Sequence, residues 1–191
     1  MDVGLLQCGD HADFIIVEDL KEFNVLQTYI NGKLVAKKGK TLIESVPSTI
    51  INHFNCDKKE AAKFSIPNKK EALIPVIEAL DGQLITNKLL LEPKLHGDCI
   101  VSDTERDIIK IVVVNRYQET PVALSFIKNT GLKKGALASS VAHDSHNIVA
   151  VGCTDEEIAL AVNAIIEAKG GISAVNQDEV HLLPLPVAGL M

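Results

Sequence analysis

Five consecutive polar residues, His143-Asp144-Ser145-His146-Asn147, interrupt a stretch of small and apolar residues that runs from Ser139 to Gly152. Two imidazoles beside a carboxylate and a hydroxyl are residue types that move protons, bind metals or orient a polar ligand. Asp and Ser are also common turn residues, so the same five residues could form a solvated hairpin tip. With Asp144-Ser145 as a two-residue turn, His143 stands directly opposite His146, with Cβ atoms about 5 Å apart on one face of the sheet. Val141 then opposes Ile148, and Ser139 opposes Ala150. In that arrangement Asp144 could hold the tautomer of either ring. Ala136, Ala138, Ser139, Ser140, Ala142 and Ala150 are all small, so another backbone, a helix or a ligand can approach closely. Two histidines alone are an incomplete metal set, and no HExxH pattern is present. Polar tip, metal site and metal-free functional site all stay open on the residues alone.

Few other residues compete for a chemical role. Arg116 follows the apolar run from Ile108 to Val114, where it could bind an anion or carbonyl, or form a surface ion pair. His96-Gly97-Asp98 reads as a turn. No phosphate-binding loop, dinucleotide fingerprint or Gly-x-Ser-x-Gly elbow occurs. The four cysteines, Cys8, Cys56, Cys99 and Cys153, are scattered singly, which favours reduced thiols over disulfides or structural zinc.

The elements that must position these residues can be read from pattern. Asp13 to Val17, then Val25 to Ile30, Asn31-Gly32 and Lys33 to Lys40 read as short strands with a tight hairpin, because Asn-Gly suits a turn with positive φ at both positions. So small a β element needs something to pack on. Residues 47–71 turn polar and lysine-rich and read as a linker with at most an irregular turn. From Ala72 onward, short β-branched runs bounded by turn residues predict a series of strands. One helix is predicted where Thr154 and Glu157 form a capping box, Asp155 and Glu156 add negative charge, and Ile158, Ala161, Val162, Ile165 and Ile166 follow at helical spacing. Gly170 is expected to supply its left-handed stop. The expected fold class is α+β: a mainly β-sheet domain over 72–191 with at least one packed helix, a linker over 47–71, and a small β element over 1–46.

Composition excludes several function classes. The chain has 191 residues and a net charge of −6, from 19 basic and 25 acidic residues, with no tryptophan. No basic stripe or aromatic ladder suits nucleic acid. No apolar run approaches the roughly 20 residues that span a bilayer, and the start lacks the basic-then-apolar order of a signal peptide. A cytoplasmic location is expected.

The segment from Leu132 to Gly171 and the ending Leu183 to Met191 resemble the C-terminal region of bacterial adenine deaminases, members of the amidohydrolase superfamily. The opening from Cys8 to Gly39, with Gly9, Ala12, Asp13 and Asn31-Gly32, is similar to the stretch that follows the metal-bearing barrel in that superfamily and completes a β-sandwich beside it. One departure is Tyr117 after Arg116, where the resemblance leads one to expect histidine. The resemblance implies hydrolysis of adenine to hypoxanthine and ammonia by the complete enzyme. It also implies a divalent metal (manganese, iron or zinc) in a barrel that this chain lacks, since no His-x-His motif occurs in it. No metal ligand is expected here, and the chain alone is expected to be inactive. His143, Asp144 and His146 are the candidate catalytic residues beside the active site of the complete enzyme. Ser145, Asn147 and Arg116 are candidate substrate-binding residues. The expected partners are adenine, the barrel domain and further copies in a homo-oligomer. The competing expectations are a non-enzymatic assembly module that keeps the deaminase C-terminal fold, and an independent ligand- or metal-binding domain built on His143 and His146.

Overall fold

The computed structural model describes residues 7–47, 49, 51–143 and 145–191. They fall into two compact units, Met1–Pro47 and Ser48–Met191. The chain is mostly β-sheet with one α-helix among the described residues. No helix in them is long and apolar enough to cross a membrane.

The first unit is a four-stranded antiparallel meander: β1 (Phe14–Val17), β2 (Val25–Ile30), β3 (Lys33–Lys37) and β4 (Lys40–Thr41). Asn31 and Gly32 turn the β2–β3 hairpin with φ of 51° and 72°, as the Asn-Gly pair predicts. The Asp13 carboxylate accepts the Asn31 N–H at 2.6 Å, and Gly32 donates to the Ala12 carbonyl at 2.9 Å. These bonds tie the Ala12-Asp13 and Asn31-Gly32 pairs into one structure. Phe14 stacks on Tyr29 with ring centroids 4.6 Å apart. None of the described residues of this unit is buried.

The second unit is built on an eight-stranded sheet in the order β15-β14-β12-β13-β10-β11-β6-β7. Its strands are β6 (Ile74–Ala79), β7 (Thr86–Leu91), β10 (Ile108–Val114), β11 (Ala123–Lys128), β12 (Ala136–Ser139), β13 (Ile148–Gly152), β14 (Gly171–Asn176) and β15 (Glu179–Pro184). A three-stranded sheet joins β5 (Ile66–Pro67), β9 (Cys99–Val101) and β8 (Lys94–His96). The Gly97 turn links β8 to β9.

The helix α1 (Asp155–Ala168) follows β13 and covers one face of the large sheet. Thr154 is its N-cap and accepts the Glu157 N–H at 3.2 Å. The left-handed residue at its end is Lys169, with φ 55°, not Gly170. Ile158, Val162 and Ile165 are fully buried against Val112, Ala136, Ile148 and Ala150 of the sheet. Small residues on β12 and β13 let the helix sit close: a side chain at Gly152 would meet Ile158 Cγ1 at 2.4 Å.

The opposite face of the same four central strands carries two cross-strand rows. One is Ile111–Val151–Leu137–Ala174, and the other is Val113–Val149–Ser139–Ile172. Leu137 and Ile172 are 47% and 44% exposed.

The segment 47–71 departs from the expected linker. Phe64 closes a 3₁₀ turn (Ala61–Phe64) and is fully buried in the core, with Phe54 and Cys56 packed at its margin. Lys59 donates its backbone N–H to Asn163 Oδ1 at 2.8 Å, and Asn163 Nδ2 returns a bond to the Lys59 carbonyl at 2.9 Å, so the segment is clamped to α1. The Lys59 ammonium is buried and donates to both carboxylate oxygens of Glu119, which holds that carboxyl below the usual range. Limited proteolysis is therefore expected to cut first at residues 42–47, which are all exposed, and to spare 52–67. First cleavage beside Phe64 would contradict the clamp.

Candidate functional site

The described members of the polar run, His143, Ser145, His146 and Asn147, lie between β12 (ending at Ser139) and β13 (starting at Ile148), not about a two-residue hairpin turn. The register pairs Ser139 with Val149 and Ala138 with Ala150, one residue away from the expected pairing. A one-residue shift moves every side chain to the other face. His143 and His146 consequently do not oppose each other across a ladder.

Ser140 explains where the strand stops. It is fully buried; its hydroxyl donates to the Gly189 carbonyl at 2.6 Å and accepts the Gly171 N–H at 2.9 Å. Its own N–H donates to the Gly171 carbonyl at 3.0 Å. Holding Ser140 in the C-terminal turn draws the chain out of the β12–β13 ladder. The loop then tightens on itself: Ser145 donates to the His143 carbonyl at 2.9 Å, and His146 to the Ala142 carbonyl at 2.7 Å.

The two histidines sit in different surroundings. His143 is exposed and, with Ser145, lines a shallow depression of about 540 Å³ on the sheet face opposite α1. His146 has a left-handed backbone, φ 49°, and its Nδ1 is buried with no hydrogen-bond partner among the described residues. Asp144 lies outside the described residues.

Arg116 is buried, 4% exposed, and forms no ion pair among the described residues, contrary to the surface-pair reading. Its guanidinium lies over two rings, 5.1 Å from the Phe54 centroid and 4.8 Å from that of Tyr117. Such stacking stabilises a cation held out of water. Nη2 donates to the Tyr117 hydroxyl at 3.0 Å; Nε and Nη1 have no partner among the described residues. Gly189 makes room for this group, since a Cβ there would come within 2.2 Å of Nη1. The Arg116 N–H donates to Asn147 Oδ1 at 3.4 Å, and Tyr117 Oη donates to the Ser145 carbonyl at 3.3 Å. The structure thus brings Arg116, Ser145 and Asn147 together, with Tyr117 as the bridge. His143 lies on the open depression and touches this group through Ser145, whose N–H donates to its carbonyl.

A second polar cluster, not anticipated from the sequence, lines the pocket where β13 runs into α1. It includes Ser65, Cys99, Ser102, Lys110, Cys153 and Asp155. Lys110 is buried; its ammonium donates to the Phe64 carbonyl at 2.8 Å and to the Asp155 carboxylate. Burial pushes the Cys153 thiol up, and Glu157 and Asp107 add to the effect. A protonated thiol is a poor nucleophile. Within the pocket Lys110 is paired with Asp155, and Glu156 adds a second carboxylate to its lining. The sequence signal was a lysine at a helix-facing position inside an otherwise apolar strand.

Among the described residues no group of three or more His, Cys, Asp or Glu side chains could hold a metal ion. The donor set does not fit a catalytic metal, and none of these residues is assigned to one.

The family model described as the adenine deaminase C-terminal domain matches residues 83–191. The adenine deaminase of Methanosarcina acetivorans is 50% identical over 200 residues, covering all of this chain and 36% of that protein. The adenine deaminase of Sulfurovum sp. is 49% identical over 191 residues, covering all of this chain and 34% of that protein. The adenine deaminase of Borreliella burgdorferi is 45% identical over 190 residues, covering 99% of this chain and 34% of that protein. The chain therefore spans about a third of the length of these curated relatives.

Proposed function

The chain belongs to the adenine deaminase C-terminal domain family, and on that premise we propose that it is the C-terminal portion of an adenine deaminase that converts adenine and water to hypoxanthine and ammonia. The observation that carries this reading is the 45–50% identity that runs along essentially the whole chain to proteins named adenine deaminase. The first unit is assigned to a β-sandwich beside the catalytic barrel, which would cover strands that bury no residue of their own. The divalent metal, manganese, iron or zinc, is assigned to that barrel. The enzyme is assigned to the cytoplasm, to purine metabolism and to a homo-oligomeric state.

Within this reading the 140–147 loop serves the active site of the complete enzyme. His143, Asp144 and His146 would move or hold protons next to the purine. Ser145, Asn147 and Arg116 would position polar groups around it. His143 is supported by its place on an open depression. His146 is supported by a buried ring nitrogen that lacks a partner, which is costly unless a ligand, a water or the rest of the enzyme supplies one. Arg116 is supported only indirectly: its guanidinium is buried, so it would act by holding Tyr117 and the loop.

The test compares this 191-residue chain with the complete polypeptide, each assayed on adenine with added manganese, iron or zinc. Hypoxanthine release is expected from the complete enzyme and not from the chain alone. Metal-dependent release by the chain above a protein-free control overturns the division of labour. In the complete enzyme, His143→Asn and His146→Asn are each expected to lower turnover at least about tenfold, equivalent to about 1.4 kcal/mol in the barrier, with melting temperature and metal content retained. Unchanged turnover in both variants removes the loop from the active site.

A further inference from the structure

The two rows that cross β10, β13, β12 and β14 on the side away from α1 occupy eight positions. Seven are Ile, Val, Leu or Ala, one is Ser139, and none is charged. Charged residues make up 23% of the whole chain. A soluble surface normally mixes apolar with charged positions, and a contiguous uncharged patch of this kind marks a contact surface. Depletion of charge distinguishes the core of an interface more reliably than hydrophobicity as such.

On its other side the sheet is also mostly apolar, Lys110 apart, and there α1 provides the cover, with Ile158, Val162 and Ile165 fully buried. A sheet apolar on both faces needs layers on both. On this face, among the described residues, Leu137 and Ile172 stay 47% and 44% exposed.

We infer that this face is the docking surface for the catalytic portion of the complete deaminase, the part of the relatives' length that lies outside this chain. The inference rests on the reading under Proposed function. Two observations select this occupant. The chain spans about a third of its curated relatives, so the polypeptide itself has enough further length to supply a layer. The face is also continuous with the 140–147 loop. Val141, Ala142, His143 and Ser145 line the same depression as Val113, Leu137, Val149 and Ile172. A loop that reaches the active site brings the adjoining face against the same catalytic body. The small side chains of Ser139, Ala142 and Ala174 then allow the partner to approach the sheet backbone closely. The docked surface should be apolar and uncharged, because a charge set against these rows would be desolvated without a partner.

The test places a charge on the face. Leu137→Lys and Ile172→Lys project away from α1, and Leu160→Lys on the outer side of α1 serves as the control. In the 191-residue chain all three should leave the melting temperature within about 3 °C, because exposed substitutions change stability little. In the complete polypeptide the two face variants should speed proteolytic release of the C-terminal portion at least about tenfold, and Leu160→Lys should not, since cleavage follows the population of the undocked form. Unchanged release in both face variants overturns the inference. A 191-residue chain that sediments as a dimer, and becomes monomeric with Leu137→Lys, overturns it in favour of a second copy as the occupant. Adenine turnover of the unsubstituted complete protein is measured separately. Its absence would refute the deaminase reading while the release measurement still reports on docking.

Discussion

Asp155→Ala is expected to destabilise the chain by about 3 kcal/mol, at the lower end of what breaking a buried ion pair costs. The Lys110 side chain is 2% exposed and that of Asp155 24%. Removing the carboxylate leaves the ammonium inside the protein with only the Phe64 carbonyl for a partner. The lower end of the range applies because Asp155 stays partly in water, where the attraction it contributes is weaker. A small further loss comes from removing a negative charge in the first turn of α1, about 0.3–1 kcal/mol. The double variant Lys110→Met/Asp155→Ala should recover most of the stability, because an apolar side chain of similar length needs no counter-charge. Urea unfolding of the two variants and the unsubstituted chain decides the matter. A loss under about 1 kcal/mol in Asp155→Ala, or a double variant no better than the single, would mean that the pair does not hold β10 to the start of α1.

The same pair shows which parts of this protein were legible in advance. The strands of the second unit were legible because β-branched runs such as Ile108 to Val114 end at turn residues. The helix was legible because Thr154, Glu157 and the apolar stripe are local signals. Lys110 gave its position away but not its partner, since Asp155 is 45 residues distant in sequence. The features that were misread depend on contacts of that kind. The segment around Phe64 lacks any period, and its burial comes from α1 and the large sheet, both far along the chain. The loop register was missed by one residue because Ser140 is held by Gly171 and Gly189, neither of which hairpin chemistry can reveal. The surface-pair alternative for Arg116 fails on a contact the local sequence hides, because Phe54, the ring that covers one side of it, lies far upstream in the chain. The candidate site was therefore legible as a list of residue types, and the joining of Ser145 and Asn147 to a buried Arg116 through Tyr117 was not.

Gly135→Ala is expected to cost about 3 kcal/mol or more, the sum of a left-handed backbone penalty of about 1–2 kcal/mol and an overpacking penalty of about 1–3 kcal/mol. Gly135 has φ +80° and stands just before β12, where the chain passes close to the end of β14. A Cβ there would lie 2.1 Å from the Val175 carbonyl oxygen. That oxygen belongs to the backbone of a central strand, so it cannot rotate away as a flexible side chain would. Relief requires β12 to shift against β14, and two other bonds oppose the shift. The Gly135 carbonyl accepts the Cys153 N–H at 2.9 Å, and Ser140 is anchored to Gly171 at the other end of the strand. The effect should reach the candidate site, because β12 carries the loop that holds His143 and His146. Gly82→Ala separates the two contributions: Gly82 has φ +66° but nothing within 4 Å of its Cβ position, so it should cost only the backbone penalty. Equal losses in the two variants would show that the close approach of β12 to β14 imposes no penalty of its own.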